Sequence, residues 1–408
     1  MLLRSQLPVW RTAVIAVLLT SAGARAAPDG VPKHEAPIPA ATLALMRAKD
    51  ASAAAPVLIR AYKKEAEMEV WKKARSGRFV LKTFPICRWS GQLGPKRKQG
   101  DRQTPEGFYT IMPKQMNPNS AYYLSFNIGY PNAYDRAHGG SGAHLMVHGT
   151  CSSAGCYAMT DGQIAEIYAL AREAFAGGQP AFQFQAYPFR MTAENMVKYR
   201  SDPNIGFWRQ LKEGSDRFEA TGEEPVVSVS AGRYVFKPAK DSDKEARTVA
   251  RRSEEEARIA ALTDEGRAAI RTTYADGGQH PLFIALLRQG AYLGEVSRPE
   301  ALALAGREIV VIPAHPKQLA CPGHPGCPTQ MADAKGSAPI PPKVWPVAPA
   351  LASIQGALPP LADEPSVFAF APLDVGSATV AAKPAIPGSL RVLPAHFAAR
   401  TPVTFNLM

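Results

Sequence analysis

The residue types able to do covalent chemistry concentrate in one stretch, Val147-His148-Gly149-Thr150-Cys151-Ser152-Ser153-Ala154-Gly155-Cys156-Tyr157-Ala158-Met159. His148 stands at the end of a predicted strand. Cys156 follows eight residues later in a Ser-x-Gly-Cys turn that leads into a predicted helix. A thiol needs a base or a positive neighbour to become thiolate at neutral pH, and His148 can reach back across so short a loop. A nucleophile just ahead of a helix N-terminus also gains from the dipole and from backbone N–H groups that can stabilise an oxyanion. Ser153, Ala154 and Gly155 are small and leave room for a substrate carbonyl to approach. The implied chemistry is acyl transfer through a thiol. The plainer alternative is a hydrogen-bonded strand-end His148 with Cys156 as half of a disulfide.

The order of the pair argues against two well-known thiol-protease patterns. One places its His far downstream of the Cys, the other about 50 residues upstream. Other candidates carry structural alternatives too. His144 lies four residues before His148, and on a strand those two positions share a face. It could tune the site, although a packed or surface His is the expectation. Cys151 falls between base and nucleophile. It could resolve Cys156 as a reversible disulfide, or be a buried thiol or a partner for Cys87. Cys321-Pro-Gly-His-Pro-Gly-Cys327 offers two thiols and an imidazole. Structural zinc wants four ligands at a different spacing, so a local disulfide is expected there and no metal site is assigned.

The elements that must position these residues read as mainly β. Val57–Tyr62, Met68–Trp71 and Arg78–Phe84 are strand-like runs separated by a charged turn and by Gly77. A long loop marked by Gly91, Gly94, Pro95, Gly100 and Pro105 precedes a strand from Gly107 to Ile111. Further strands are predicted at Tyr122–Phe126, Ala143–His148 and Phe182–Tyr187. Thr160 caps a helix through about Phe175, with Ile164, Ile167, Tyr168 and Ala171 on one face. Phe207 and Trp208 suggest a helix packed on this domain, and Arg233–Lys237 a last strand. Asp241 to about Tyr274 reads as a charged, solvated helix with sparse apolar positions. Leu282–Leu287 is a short apolar helix and Arg307–Ile312 a possible strand. From Cys321 onward 16 of 88 residues are proline, which disfavours helix interiors and central strands and predicts a disordered or extended tail.

Composition sets the compartment and the partners. The chain has 408 residues, with 37 prolines and 32 glycines, about one residue in six. That exceeds the ordinary share and argues against one all-helical unit. Arg4 and Arg11 precede an eleven-residue apolar run, Thr12–Ala22, and then Ala24-Arg25-Ala26. This is the pattern of an export signal cleaved near Ala27. The run is too short to span a hydrocarbon core of about 30 Å as a helix. A net charge of +12 suits an anionic polymer, and export favours the cell envelope over nucleic acid.

H-G-x(5)-G-C with a preceding Ser resembles the signature of the YkuD-type L,D-transpeptidase catalytic domain. The loop Gly100-Asp101-Arg102-Gln103-Thr104-Pro105-Glu106-Gly107-Phe108-Tyr109 is similar to that family's G-x-x-x-T-P-x-G-x-F element. The run Phe84–Lys96 and the segment Gly155-Cys156-Tyr157-Ala158-Met159-Thr160 resemble its YafK-like branch. The resemblance covers roughly residues 56–237. It implies a β-sandwich or barrel-like catalytic fold with a helix after the Cys loop. By position, Cys156 would be the acylated nucleophile and His148 its base, with the Gly149 carbonyl orienting the imidazole. N–H groups of Gly155 and Cys156 would form the oxyanion hole, and Ser153 would support the loop. Two departures stand out: Ala154 replaces the usual His before Gly-Cys, and Ala158 replaces the usual Arg two residues after Cys. Arg102 is a candidate replacement for that Arg, with Tyr157 and Thr150 as further candidate substrate contacts.

The implied organisation runs from a signal peptide (1–26) through an Ala/Pro-rich linker (27–55) to a catalytic domain (56–190). An extension packed on that domain (191–240), a charged helical segment (241–312) and a Pro/Ala-rich tail (313–408) follow. The two C-terminal segments are expected to lie outside the catalytic domain, towards the wall or outer membrane. The implied substrate is a peptidoglycan stem peptide, attacked between the L-centre of a diamino acid and D-Ala. An envelope protein could serve as acceptor or leaving group. No cofactor, nucleic acid or stable membrane span is implied, and the location would be a Gram-negative-type periplasm. An amine acceptor makes the protein a transpeptidase, and water makes it an amidase that releases wall-tethered proteins. A non-catalytic wall-binding module is the third reading.

Overall fold

The computed structural model describes residues 30–315, except 295 and 297. The first elements are helix α1 (Ala40–Ala48) and strands β1 (Val57–Tyr62), β2 (Glu67–Ala74), β3 (Gly77–Pro85) and β4 (Gly107–Ile111). Short strands β5 (Met116–Asn117) and β6 (Ser125–Asn127), helix α2 (Ala133–Ala137), and strands β7 (Met146–His148) and β8 (Tyr157–Ala158) follow. Helix α3 (Asp161–Ala176) and strand β9 (Phe182–Tyr187) come next, then helices α4 (Ala193–Lys198) and α5 (Ile205–Thr221). The remainder is β10 (Val227–Ser230), β11 (Arg233–Phe236), α6 (Ser242–Asp264), β12 (Ala269–Thr273), α7 (Pro281–Arg288), α8 (Pro299–Leu302) and β13 (Arg307–Ile312).

Five strands form one sheet in the order β3-β2-β1-β9-β4, mixed because β1 runs parallel to β9. Central position explains why β1 and β9 are buried along their whole length while β3, at the edge, buries only Leu81 and Phe84. Even Arg60 in β1 is enclosed: it pairs with Glu219, donates to Ser215 Oγ at 2.9 Å, and faces the Phe218 ring. A second sheet, β5-β6-β7-β8, is antiparallel except for the parallel pair β7/β8. Helix α3 touches β1 of the first sheet and β6 and β7 of the second. It buries Ile164, Ile167, Leu170 and Ala174. Its start is set by a capping box, with Thr160 Oγ1 accepting from the Gln163 N–H and Gln163 Oε1 from the Thr160 N–H. The fold is mainly β with a helix after the Cys loop, in agreement with the sequence reading.

Several expectations change. The strand predicted over Ala143–His148 begins only at Met146, because His144 adopts φ 60° and breaks the extended run. The strand expected at Tyr122–Phe126 occupies Ser125–Asn127, after Tyr123 with φ 67°. In the Ala/Pro-rich linker a short helical stretch around Thr42–Ala51 is expected, and α1 forms there at Ala40–Ala48, but it packs on the domain. Met46 is buried, Thr42 bonds Glu166, and Arg172 donates to the His34 and Ala36 carbonyls. The charged helix ends at Asp264 and does not reach Tyr274, since Ala269–Thr273 is a strand paired antiparallel with Arg307–Ile312. Its sparse apolar face docks largely through ion pairs, Lys212 with Glu255 at 2.8 Å and Arg217 with Glu245 at 3.2 Å. Among the described residues no helix is long and apolar enough to cross a membrane. The export signal, Cys321, Cys327 and the Pro-rich tail beyond 315 lie outside the described residues.

Candidate functional site

The parallel pairing of β7 with β8 brings the candidate base and nucleophile to one place. Val147 stands opposite Tyr157 and His148 opposite Ala158, so Cys156 enters the pair beside Met146. The Cys156 thiol accepts a hydrogen bond from the Met146 N–H at 3.4 Å. Cys156 and His148 line the same open cleft of about 340 Å³, with Tyr122, Lys96 and Arg102 on its walls.

His148 is buried, and its Nδ1 lies 2.6 Å from the Gly149 carbonyl oxygen. A ring nitrogen facing a carbonyl must carry the proton, so Nδ1 donates and Nε2 is left as the basic atom. Burial holds the imidazole below its ordinary value, partly offset by that bond. The Tyr122 ring covers it at 4.7 Å. Burial pushes the Cys156 thiol up, against the Met146 N–H and the charge of Lys96, which pull it down. The resting pair is therefore a neutral imidazole and a thiol, and the second bond of Sγ goes to the His144 carbonyl at 3.8 Å. The helix dipole expected to act on the thiol is displaced, because β8 and the Thr160 cap intervene before α3 begins at Asp161.

Gly149 is required by packing. A Cβ there would sit 2.5 Å from Asp161 Oδ1 and 3.0 Å from the Tyr122 carbonyl. Its N–H donates to the Tyr122 carbonyl at 3.0 Å, which aims its own carbonyl at His148. Ser153 is buried at the centre of the Cys loop. Its hydroxyl donates to the Cys156 carbonyl at 2.8 Å and accepts from the Ser90 hydroxyl at 2.8 Å and the Gly155 N–H at 3.2 Å. Thr104 Oγ1 also donates to the Cys156 carbonyl, at 3.2 Å. The Gly155 N–H expected in an oxyanion hole is thus committed to Ser153. Gly155 has φ 136°, a conformation that favours glycine.

Other expected contacts divide. Arg102 lines the cleft, bound through Nε and Nη2 to Asp276 at 3.2 and 3.1 Å. Tyr157 does not face the cleft: it is fully buried, its hydroxyl donates to the Pro105 carbonyl at 2.7 Å, and its ring meets Phe184. Thr150 is exposed at the back of the loop, with its N–H on Asp161 Oδ1 at 2.8 Å. His144 is exposed and lines the cleft, but its left-handed backbone removes the shared strand face with His148. Cys151 is not paired with Cys156. It forms a disulfide with Cys87, and Phe283 packs against the bond.

Sequence reasoning missed the supports. Ser90 and Thr104 exchange two bonds, Ser90 N–H to Thr104 Oγ1 and Thr104 N–H to the Ser90 carbonyl, both 2.9 Å. Both residues stood inside quoted motifs, which was the available signal. Below them the Lys63 and Glu106 side chains form a fully buried pair at 2.9 Å, and Trp208 Nε1 donates to Glu106 at 2.9 Å. The segment after residue 240 also proves to be part of the wall. Trp89 and Gly278 exchange backbone bonds at 3.1 Å, and the Gly277 N–H donates to the Gly91 carbonyl at 2.7 Å. No local pattern announced Asp276, which lies 174 residues from Arg102.

The profile of the YkuD family, described as the L,D-transpeptidase catalytic domain, matches residues 54–181. YafK of Escherichia coli strain K12, whose name carries an inferred L,D-transpeptidase activity, is 48% identical over 180 residues, 44% of this chain and 73% of YafK. The O157:H7 protein of the same name matches equally. The crystal structure of the helical cell shape determining protein Pgp2 from Campylobacter jejuni is 13% identical, covering 58% of this chain and 81% of Pgp2, at a TM-score of 0.27. That last likeness is too low to carry an argument. With nearly half the residues shared over almost three quarters of YafK, this chain belongs to the YkuD L,D-transpeptidase family.

Proposed function

We propose that this chain is an exported cysteine acyltransferase acting on peptidoglycan stem peptides in the cell envelope. Family membership supports a peptidoglycan-modifying activity. The observation that carries the finer reading is the β7/β8 pair, which sets His148 and Cys156 on one cleft with Nδ1 of His148 held by Gly149.

In this reading the Cys156 thiol attacks the carbonyl between the L-centre of the diamino acid and D-Ala. Nε2 of His148 takes the thiol proton as the C–S bond forms. Catalytic hydrogen bonds often close only on substrate, and here the thiol must turn from the His144 carbonyl towards the ring. The Cys156 N–H is the donor assigned to the oxyanion, because the Gly155 N–H is engaged by Ser153. The C–N bond then breaks, and D-Ala leaves as an amine with the proton from His148. An incoming amine gives a proton back to His148, attacks the thioester, and releases the thiol with a new amide. Water in the amine's place would yield a carboxylate, which is amidase chemistry at the same site.

Incubation with purified muropeptides tests this. The expected result is a thioester mass on Cys156 and 3-3 crosslinked dimers or amine adducts. Released free stems or proteins, with no crosslinks, would assign the hydrolytic reading instead. A folded wild-type protein that never acquires an acyl group would leave only a wall-binding module.

A further inference from the structure

Tyr122 stands in the turn before β6, the strand whose Ser125 pairs with His148. Both of its backbone groups are tied. Its N–H donates to Ser120 Oγ at 3.1 Å, and its carbonyl accepts from the Gly149 N–H at 3.0 Å. The next residue, Tyr123, has φ 67°, a left-handed conformation that persists in a tyrosine where the surroundings fix it. The backbone therefore sets where the Tyr122 side chain starts.

The Tyr122 ring lies over the His148 imidazole, with centroids 4.7 Å apart and planes 36° from parallel. One residue thus holds the base from two sides. Its carbonyl fixes Gly149, whose own carbonyl meets His148 Nδ1 at 2.6 Å, and its ring covers the imidazole face. His148 is 3% exposed although it lines an open cleft, whereas Tyr122 lines the same cleft and is 49% exposed. A ring left half in water adds less to the core than a buried one, so its contact with the base stands out. Burial is also what holds the imidazole below its ordinary value, in the neutral form a base needs.

We infer that Tyr122 is a positioning residue for acylation: its ring holds the plane of the His148 imidazole and screens it from water while Nε2 takes the Cys156 proton. The inference rests on reading Cys156 and His148 as the acyl-transfer pair. The backbone half of the clamp survives any substitution at Tyr122, so replacing the side chain tests the ring alone. The other titratable groups around the base are Lys96, Arg102, His144 and Cys156 on the cleft, and Asp161 behind Gly149 at the Thr150 N–H. All of them are kept in the variants.

The experiment compares full-length wild type, Tyr122→Ala and Tyr122→Phe by two measurements. The first is the titration of His148, followed by NMR in histidine-labelled protein. The second is the rate of thioester formation on Cys156 with a purified disaccharide tetrapeptide, read by mass spectrometry across pH. In Tyr122→Ala the His148 titration should move up towards 6.5, the acid limb of acylation should move with it, and the rate should fall roughly tenfold, part of the ~10²–10⁴-fold that a placed general base supplies. Tyr122→Phe keeps the ring and should stay within about twofold of wild type by the same reasoning. A Tyr122→Ala chain in which either the titration or the rate is that of wild type overturns the inference, and so does a Tyr122→Phe chain that behaves like Tyr122→Ala. If Tyr122→Ala does not fold by circular dichroism, Tyr122→Gln takes its place. A wild type that never acylates sinks the proposed activity, and the titration alone then decides whether the ring screens His148. Acylation in wild type with no response to loss of the ring sinks this inference and leaves the activity standing.

Discussion

Cys87 and Cys151 are joined by a disulfide across 64 residues of sequence, and the bond staples the run carrying Arg88 to the loop between His148 and Cys156. Both cysteines are buried, and Phe283 from α7 covers them. The connection is structural, since the Cys156 thiol is left out of it. Cys87→Ser is expected to lower stability by about 2–4 kcal/mol, the usual worth of closing such a loop. The variant should also alkylate faster at a second thiol, Cys151. Thermal melts and thiol counting check both, and an unchanged melting temperature would contradict the role.

The charge states of the site predict its pH dependence. His148 is held below its ordinary value near 6.5 by burial, so as a base it stays active when pH falls somewhat below 6.5. Cys156 is held above its ordinary value of 9.0 by burial, so alkylation by iodoacetamide should still be rising past pH 9.0. A thiolate–imidazolium pair would plateau far lower. The linkage has a definite sign for each group. A depressed imidazole contributes stability present above the unfolded value of 6.5, counted against the charged form, and lost below it as the unfolded state takes up the proton. A raised thiol contributes stability present below the unfolded value of 9.0 and lost as pH rises through the folded value.

Gly149→Ala should be damaging although the backbone there is ordinary. The new methyl meets Asp161 Oδ1 and the Tyr122 carbonyl, and overpacking of this kind costs about 1–3 kcal/mol. The Gly149 carbonyl would move off His148 Nδ1, so acylation should fall more than stability alone explains. Acylation rates measured well below the melting temperature check this. Normal acylation in a folded variant would refute the orienting role.

Ser153→Ala removes one hydroxyl that meets the Cys156 carbonyl, the Gly155 N–H and the Ser90 hydroxyl. The expected loss is about 1–3 kcal/mol, because buried partners are left unpaired. Thioester formation should slow, since the peptide carrying the nucleophile loses one of its two hydroxyl anchors. Thr104→Ala should also slow it, since its hydroxyl meets the Cys156 carbonyl at 3.2 Å and accepts from the buried Ser90 N–H at 2.9 Å.

Truncation after residue 240 is expected to disable the site. It deletes Asp276, the Gly278–Trp89 pairing and the Phe283 cover over the disulfide. Phe283→Ala is the milder form, costing about 3–5 kcal/mol for a buried aromatic. A truncated chain that folds and acylates at the full rate would show that the C-terminal wrap is dispensable.

The local signals in the sequence were strong where chemistry and backbone geometry meet. Val57–Tyr62 was legible as a strand from an apolar run broken only by Arg60, and Phe182–Tyr187 from the alternation of Phe182 and Phe184 with Gln183 and Gln185. Thr160 and Gln163 announced the start of α3 through their own side chains. His148, Gly149 and Cys156 stood out as candidates because their spacing fits a family signature, and the fold places His148 and Cys156 on one cleft. Tyr157, a candidate contact from its place beside Cys156, turns into the core instead, where its hydroxyl finds the Pro105 carbonyl. Ser90 stood in plain view, yet its partner Ser153 lies 63 residues away.

The family, the candidate base and thiol and the main strands were therefore written in short segments, where side-chain type and backbone propensity act over a few residues. The charge state of the thiol, the partner of Cys151, the commitment of the Gly155 N–H and the arrival of Asp276 beside Arg102 depended on the whole fold. Those properties come from burial and from contacts between residues far apart in the chain. Such contacts exist only after the sheets, α3 and the C-terminal wrap have packed around the cleft.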